Sequence, residues 1–432
     1  MSGVIGIYSK NRKDTSQIAY YGLYALQHRG QASAGIAVNN NGFIDYHKGL
    51  GLLSEVFSRD IIERLIGNIA IGHVKYAHPK DRNLNIVEPL AVGYKRGALA
   101  LSMDGSIENT RELRDRLEDD GVIFQSLLDS EVIANLIARY HKDDLDQAVI
   151  KAIEDIEGSY SMVLMGNDRL IAARDPHGLK PLVIGRIKDG YVLASETCAF
   201  DTIGAEFIRD IRPGEMVVID DDGIRTVRHK PGERKISLFE YIYLARPDSK
   251  MDGISIYSAR IEAGRQLYRE CPTDADIVIG APDSGIVSAI GYSEESKIPY
   301  REGLIKNRYV GRTFIEPTQE LRELGVRIKL NVLRENVRGK RVILVDDSIV
   351  RGTTIRRIID LLRKGGAKEI HVRVSSPPVR NAGDLALDTI GDENLLAKGK
   401  TVEEIRKELG ADSLYYLSLE GLLKAIGIRE DN

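Results

Sequence analysis

Residues 341–374, RVILVDDSIVRGTTIRRIIDLLRKGGAKEIHVRV, gather the side chains best suited to chemistry. Asp346 and Asp347 stand side by side and are followed by Ser348, Arg351, Gly352, Thr353 and Thr354. Residues 342–345 are apolar and read as a buried strand. Ile355, Ile358, Ile359 and Leu362 recur at i, i+3, i+4 and i+7, which is one face of a helix. Gly365 and Gly366 supply a helix stop, and residues 370–374 read as the next strand. The spacing therefore predicts strand, loop, helix, strand, with the loop at 346–354. In open α/β sheets, ligands bind at that carboxyl edge. Unpaired N–H groups at the helix start suit a phosphate. Ser348, Thr353 and Thr354 add hydroxyl donors, Arg351 adds positive charge, and Gly352 permits close backbone approach. Two adjacent carboxylates disfavour a bare phosphate, but they suit sugar hydroxyls or a hydrated Mg²⁺. A solvated turn with Ser/Thr caps is the bland alternative. The full VDDSIVRGTT string between strand and helix outweighs it.

The elements around this unit divide the chain of 432 residues. The first half is dense in short strand-like runs, at 4–8, 35–38, 69–73, 98–101, 160–165, 170–173, 182–185, 191–195 and 216–219. Helical patterns intervene at 15–26, 110–119, 129–140 and 145–156. This predicts packed sheets with helices, not a doubly wound parallel sheet. The polar stretch 220–235 reads as a connection. Beyond it, the runs at 277–280, 341–345 and 370–374 are widely separated, as parallel strands with crossovers require. A domain boundary is expected near residue 230, giving 2–230 and 231–432.

Composition narrows the classes. Hydrophobic residues are 43% and charged residues 29%, which is ordinary globular content and excludes disorder. The net charge of −3 gives no support for bulk nucleic-acid binding. No apolar run of about 18 residues predicts a membrane span. Two cysteines, Cys198 and Cys271, cannot build a disulfide framework or a four-cysteine cluster, and a reducing cytoplasm is the simplest compartment. Both read as buried thiols. His28 and His73 lack metal-ligand spacing and read as hydrogen-bonded structural histidines.

VDDSIVRGTT resembles the phosphoribosyl-pyrophosphate (PRPP) motif of type I phosphoribosyltransferases. The resemblance widens to the amidophosphoribosyltransferase family, the glutamine-PRPP amidotransferases of purine synthesis. It runs through LQHRGQASAGIA (26–37), DSEVIANLI (129–137), ARDPHGLKPLVIGR (173–186) and ASETCAFD (194–201). It continues through 237–260, APDSG (281–285), GLIKNRYVGRTFIEPTQ (303–319) and DSLYYLSLEGL (412–422), and so covers about residues 2–427 in the family's order. It implies an N-terminal-nucleophile (Ntn) αββα sandwich followed by a parallel-sheet phosphoribosyltransferase domain.

For the second domain the resemblance implies that Asp283, Ser284 and Gly285 wrap the pyrophosphate of PRPP. Asp346, Asp347, Ser348, Arg351, Gly352, Thr353 and Thr354 would bind the ribose phosphate. Ser284, Asp346 and Asp347 would surround Mg²⁺. A closing loop at 305–330 would bring Lys306 and Arg308 to the reaction, with Arg312, Arg322 and Arg327 as further counter-charges. Ser237 stands where some members have a cluster cysteine, and no iron–sulfur cluster is expected. After SSPP the segment VRNAGDLALDTIGDENL also departs from the family pattern, so substrate or effector preference could differ.

In the first domain the family's nucleophile is an amino-terminal Cys whose own amine is the base. Here that position is Ser2, whose hydroxyl ionises far less readily than a thiol. Lys75 replaces the arginine that clamps the glutamine carboxylate and lacks its bidentate fork. Asp104 replaces the asparagine of the oxyanion hole, where a negative charge would repel the developing oxyanion. Gly105 and Asp129 are retained, matching a backbone oxyanion donor and a glutamine-amine ligand. Three changes at one site predict impaired glutaminase chemistry; a site retuned for another amide is the competing reading.

The expectation is a cytoplasmic, homo-oligomeric enzyme (in this family often a tetramer) that makes 5-phosphoribosylamine from PRPP. It would use ammonia, free or from a supplying partner, in preference to glutamine. The alternative is a non-catalytic, PRPP- or nucleotide-binding regulator that assembles with an active paralogue. A transcriptional regulator fits poorly with the charge balance.

Overall fold

The computed structural model describes residues 1–76, 83–307, 330–381 and 395–427. Two compact units divide the chain, Met1–Ser237 with Asp248–Gly253, and Leu238–Pro247 with Ile254–Asn432.

The first unit holds two sheets. The labels for its strands are β1 (Ser2–Ser9), β2 (Ser33–Asn40), β3 (Phe43–Leu50), β4 (Ile69–Lys75), β5 (Leu90–Tyr94), β6 (Gly97–Ile107), β7 (Gly158–Met165), β8 (Leu170–Arg174), β9 (Val183–Ile187), β10 (Gly190–Ala194), β11 (Glu206–Asp210), β12 (Glu215–Asp220) and β13 (Gly223–His229). One sheet runs β11-β9-β10-β1-β4-β2-β3 and the other β13-β12-β8-β7-β6-β5.

Period-two alternation explains how the sheets stack. On β1, Ile5 and Ile7 join a core with Leu23 and Leu26, beside helix α1 (Thr15–Ala25). Val4 and Tyr8 point the other way, into a core shared with Ala100, Val163 and Ala172 of the second sheet. The outer face of that sheet, with Leu101, Met103, Met162 and Leu164, is covered by Leu113 and Leu117 of α2 (Thr110–Asp119), Val132 and Leu136 of α3 (Asp129–Tyr140), and Val149 of α4 (Leu145–Asp155). The result is the expected αββα sandwich. Buried aliphatic side chains of this kind each contribute about 1.5–3 kcal/mol.

Residues 220–235 are not merely a connection. Gly223–His229 pairs antiparallel with β12, from Asp220↔Gly223 to Glu215↔His229. Its Ile224, Thr226 and Val227 favour a strand, while Arg225 and Arg228 suit its edge position. Polar composition concealed it because an edge strand buries little.

In the second unit four parallel strands form the sheet: β14 (Ile277–Gly280), β17 (Arg341–Asp346), β18 (Glu369–Val374) and β19 (Ser413–Tyr416), in that order. A separate antiparallel ribbon joins β15 (Leu304–Lys306) to β16 (Leu330–Val332). Helices α5 (Ile256–Glu270), α6 (Gly285–Ser296) and α7 (Thr353–Lys364) complete the part that bears on the site. Ile355, Ile358, Ile359 and Leu362 of α7 are all buried, packing with Ile279, Val342, Leu344 and Val372. The predicted helix face and both its flanking strands are present. Cys198 is buried, whereas Cys271, just past the end of α5, is only partly so, contrary to expectation. A helix terminus leaves its last residue fewer covering neighbours.

Glu215 on β12 ties together β11, the turn that follows it and β13. It accepts hydrogen bonds from Arg209 Nη1 and Nη2 at 2.8 and 2.9 Å, from Arg212 N at 2.8 Å and from Thr226 Oγ1 at 2.6 Å. Burial opposes its ionisation, but these donors outweigh burial and draw its pKa down to about 2 from 4.5. A folded-state value below the unfolded one stabilises above about pH 4.5, and that stability is lost as pH falls toward 2. Glu215→Gln should therefore lower the melting temperature near neutral pH. Its deficit relative to the parent should shrink between about pH 4.5 and 2, as thermal melts across that range would show.

Candidate active site

The phosphate loop and the 281–285 loop meet because their strands are neighbours in register. Gly280 pairs with Val345, and Ala281 N donates to Val345 O at 2.8 Å. The approach is close enough to require glycine at 285, since a Cβ there would lie 2.4 Å from Val345 O. Ser284 Oγ donates to Asp347 Oδ1 at 2.5 Å, and Ser348 Oγ donates to Asp347 Oδ2 at 2.7 Å. Gly352, at φ +72°, opens α7, and Arg351, Thr353 and Thr354 are exposed around that turn. Lys306, at the end of β15, donates to Asp283 Oδ2 at 2.5 Å. Thus Asp283, Ser284, Gly285, Lys306 and the 346–354 loop share one edge. Arg308, Arg312, Arg322 and Arg327 lie outside the described residues, as does most of 379–395.

Asp346 and Asp347 are 8% and 5% exposed. Burial, then the adjacent Asp347, pushes the Asp346 carboxyl well above the usual carboxylate range. Among the described residues neither acid has an ion-pair partner. A cation would stabilise such a pair by its counter-charge, and sugar hydroxyls would do so by donating hydrogen bonds. Among the described residues no cluster of three or more His, Cys, Asp or Glu could hold a metal. Two adjacent oxygen donors of this kind suit a hard cation such as Mg²⁺ that keeps other oxygen ligands.

Of the predicted residues of the first unit, Ser2 and Asp104 join a second polar network. Ser2 N donates to Asp104 Oδ1 at 2.7 Å, joining β1 to β6 across the two sheets. Arg29 sits between them: Nε donates to Ser2 O at 2.8 Å, Nη2 to Asp104 Oδ2 at 3.1 Å, and Nη1 to Glu196 Oε1 at 2.8 Å. His28 Nε2 is 2.7 Å from the same Glu196 oxygen, and Ser249 Oγ donates to Glu196 Oε2 at 2.7 Å. Burial opposes ionisation of Asp104, but Arg29 and then other nearby positive groups, including Lys180, hold it below the usual range. Glu196 is likewise depressed, with His28 and Arg29 outweighing its burial.

Lys75 pairs in register with Ser2, yet its Nζ lies 3.9 Å from Glu88 Oε2. That carboxylate is shared with His73 Nε2 at 3.0 Å, and burial keeps His73 below its ordinary value. His28 and His73 are thus hydrogen-bonded, as expected. Asp129 is occupied locally, accepting from Ile107 N at 2.9 Å and Thr110 Oγ1 at 2.7 Å. Gly105, at φ +128°, follows Asp104 on β6. Arg29, Glu196 and Glu88 were missed from sequence. Arg29 and Glu196 lie inside the matched strings 26–37 and 194–201, but no spacing links them.

Both halves have recognisable counterparts, which define a glutamine amidotransferase domain joined to a phosphoribosyltransferase domain. The glutamine amidotransferase domain family matches residues 85–202, and the phosphoribosyl transferase domain family matches 255–388. Over the whole length the chain is 50% identical to the amidophosphoribosyltransferase of Archaeoglobus fulgidus, covering 99% of this chain and 94% of that one. It is 48% identical to that of Bacillus subtilis, covering 100% and 90%. The solved B. subtilis glutamine PRPP amidotransferase, complexed with ADP and GMP, superposes with a TM-score of 0.93 at 48% identity, covering 100% of this chain and 94% of that one. The chain belongs to the amidophosphoribosyltransferase family.

Two stability outcomes follow. Asp346→Asn removes one of two adjacent buried acids, so it should stabilise the ligand-free chain by about 0.5–2 kcal/mol in urea unfolding. Arg29→Ala strands Asp104 and Glu196 as buried charges and should cost about 3–5 kcal/mol in the same assay.

Proposed function

We propose that this chain converts PRPP and ammonia into 5-phosphoribosylamine and pyrophosphate, the first committed step of de novo purine synthesis, and uses glutamine poorly. The observation that carries the reading is the paired edge of β14 and β17. There the 281–285 loop, Lys306 and a helix-opening phosphate loop converge on two buried acids.

In this reading Thr353, Thr354, the α7 N-terminus and Arg351 hold the 5-phosphate. Asp346 and Asp347 accept from the ribose hydroxyls. The 281–285 loop offers backbone and Ser284 to the pyrophosphate. Lys306 exchanges Asp283 for the leaving group and stabilises its charge. Ser284, Asp346 and Asp347 would hold Mg²⁺, which when bound neutralises charge on pyrophosphate. The C1–O bond to pyrophosphate breaks, the C1–N bond forms, and the attacking ammonia gives up a proton to the departing pyrophosphate. The protein's share is positioning, charge complementarity and exclusion of water as a rival nucleophile.

Poor use of glutamine is supported by three residues in one small region: Ser2, Lys75 drawn toward Glu88, and Asp104 bound to Arg29. We place the enzyme in the cytoplasm as a homo-oligomer, with ammonia taken free or from a partner. No described helix is long and apolar enough to cross a membrane.

Pyrophosphate release from PRPP and Mg²⁺ should be brisk with ammonium and slight with glutamine. Binding of PRPP without release from either nitrogen source would instead identify a non-catalytic regulator. Lys306→Ala should lower kcat/KM with ammonium on the order of 10²-fold.

A further inference from the structure

We propose that Asp104 silences amide hydrolysis by capturing the residue-2 nitrogen as a hydrogen-bond donor, so that the amine required as base is never free. This rests on the reading of the first unit as an amidotransferase domain with Ser2 at the nucleophile position. It goes further by assigning the loss to one residue and one mechanism.

The geometry is a closed ring. Ser2 N donates to Asp104 Oδ1, Asp104 Oδ2 accepts from Arg29 Nη2, and Arg29 Nε donates back to Ser2 O. With Met1 in place, Ser2 and Arg29 are 3% and 1% exposed and Asp104 is fully buried, so the Asp104 and Arg29 members of the ring are shielded from water. A carboxylate has no proton to give, so whatever lies 2.7 Å from it must donate.

When residue 2 begins the chain, its nitrogen is an amine. A buried carboxylate at hydrogen-bond distance favours the ammonium form, because opposite charges stabilise each other strongly where water is excluded. Arg29, shared with a second carboxylate, Glu196, and Lys180, which also lies near Asp104, temper this effect without displacing the carboxylate from hydrogen-bond distance of the residue-2 nitrogen. Amide hydrolysis by an amino-terminal nucleophile needs the opposite state, in which the amine takes the hydroxyl or thiol proton as the nucleophile attacks. A neutral carboxamide at 104 would accept the same hydrogen bond without holding the proton. Asp104 is thus a positioning residue that acts through the residue-2 nitrogen, and the weak serine nucleophile is a separate handicap.

The test uses the full chain released from a cleavable fusion, so that residue 2 is its first residue. A Ser2→Cys/Lys75→Arg variant removes the other two handicaps and retains Asp104. Asp104→Asn is then added, and Asp104→Ser serves as a second neutral replacement should the amide variant fold poorly by thermal melt. Two quantities are read: ammonia release from glutamine, and the pH dependence of α-amine acylation by acetic anhydride, followed by N-terminal peptide mass.

The double variant should hydrolyse glutamine barely above the parent, and a neutral residue at 104 should raise the rate about a hundredfold. The acylation midpoint should fall by about one pH unit or more with the same change. Equal hydrolysis with and without Asp104 would overturn the proposal. So would an unchanged acylation midpoint, or a lowered midpoint with no gain in hydrolysis. Rapid glutamine hydrolysis by the parent chain would overturn the functional reading itself, a distinguishable result.

Discussion

The parallel register of β14 against β17 is the constraint on which the rest of the second unit depends. Gly280 opposite Val345 ends both strands at one level, so two loops from distant parts of the sequence leave the sheet side by side. The Ala281 N–H to Val345 carbonyl bond extends that pairing one residue past the strand. Glycine at 285 lets α6 begin against the same carbonyl. Without that contact, Ser284 could not reach Asp347. Asp347 would then keep only the neighbouring Ser348 hydroxyl as a side-chain donor.

That arrangement stores an electrostatic cost. Two neighbouring carboxyls are withdrawn from water with no basic partner among the described residues, and Asp346 responds by resisting ionisation. Proteins tolerate such pairs where a ligand supplies the compensation. The Lys306–Asp283 pair is different. Both side chains are well exposed, so the ion pair is weak and easily exchanged for a stronger anion. The edge therefore combines a rigid, costly element with a loose, replaceable one, as the proposed binding and release of a polyanion requires.

The first unit solves the reverse problem. Arg29, Asp104 and Glu196 are buried charges that satisfy one another, and they link β1 to β6 between the two sheets. Breaking such a network by removing one member is expensive, whereas keeping it is roughly neutral. The site is closed by its own hydrogen bonds.

The sequence alone determined the strand, loop and helix of the phosphate unit. Its hydrophobic period is local, and four residues spaced at i, i+3, i+4 and i+7 suffice to orient the helix. It also determined which residue types sit in the loop and which family strings surround them. It misjudged the edge strand at Gly223–His229, because half-exposed edges carry little hydrophobic signal. It could not show that Asp104 binds the residue-2 nitrogen 102 positions away, or that Arg29 links both to Glu196. Those contacts arise from sheet stacking and from crossovers between strands far apart in the chain. Only the folded backbone decides which buried charges become neighbours, because burial makes unpaired ions costly wherever the packing happens to bring them.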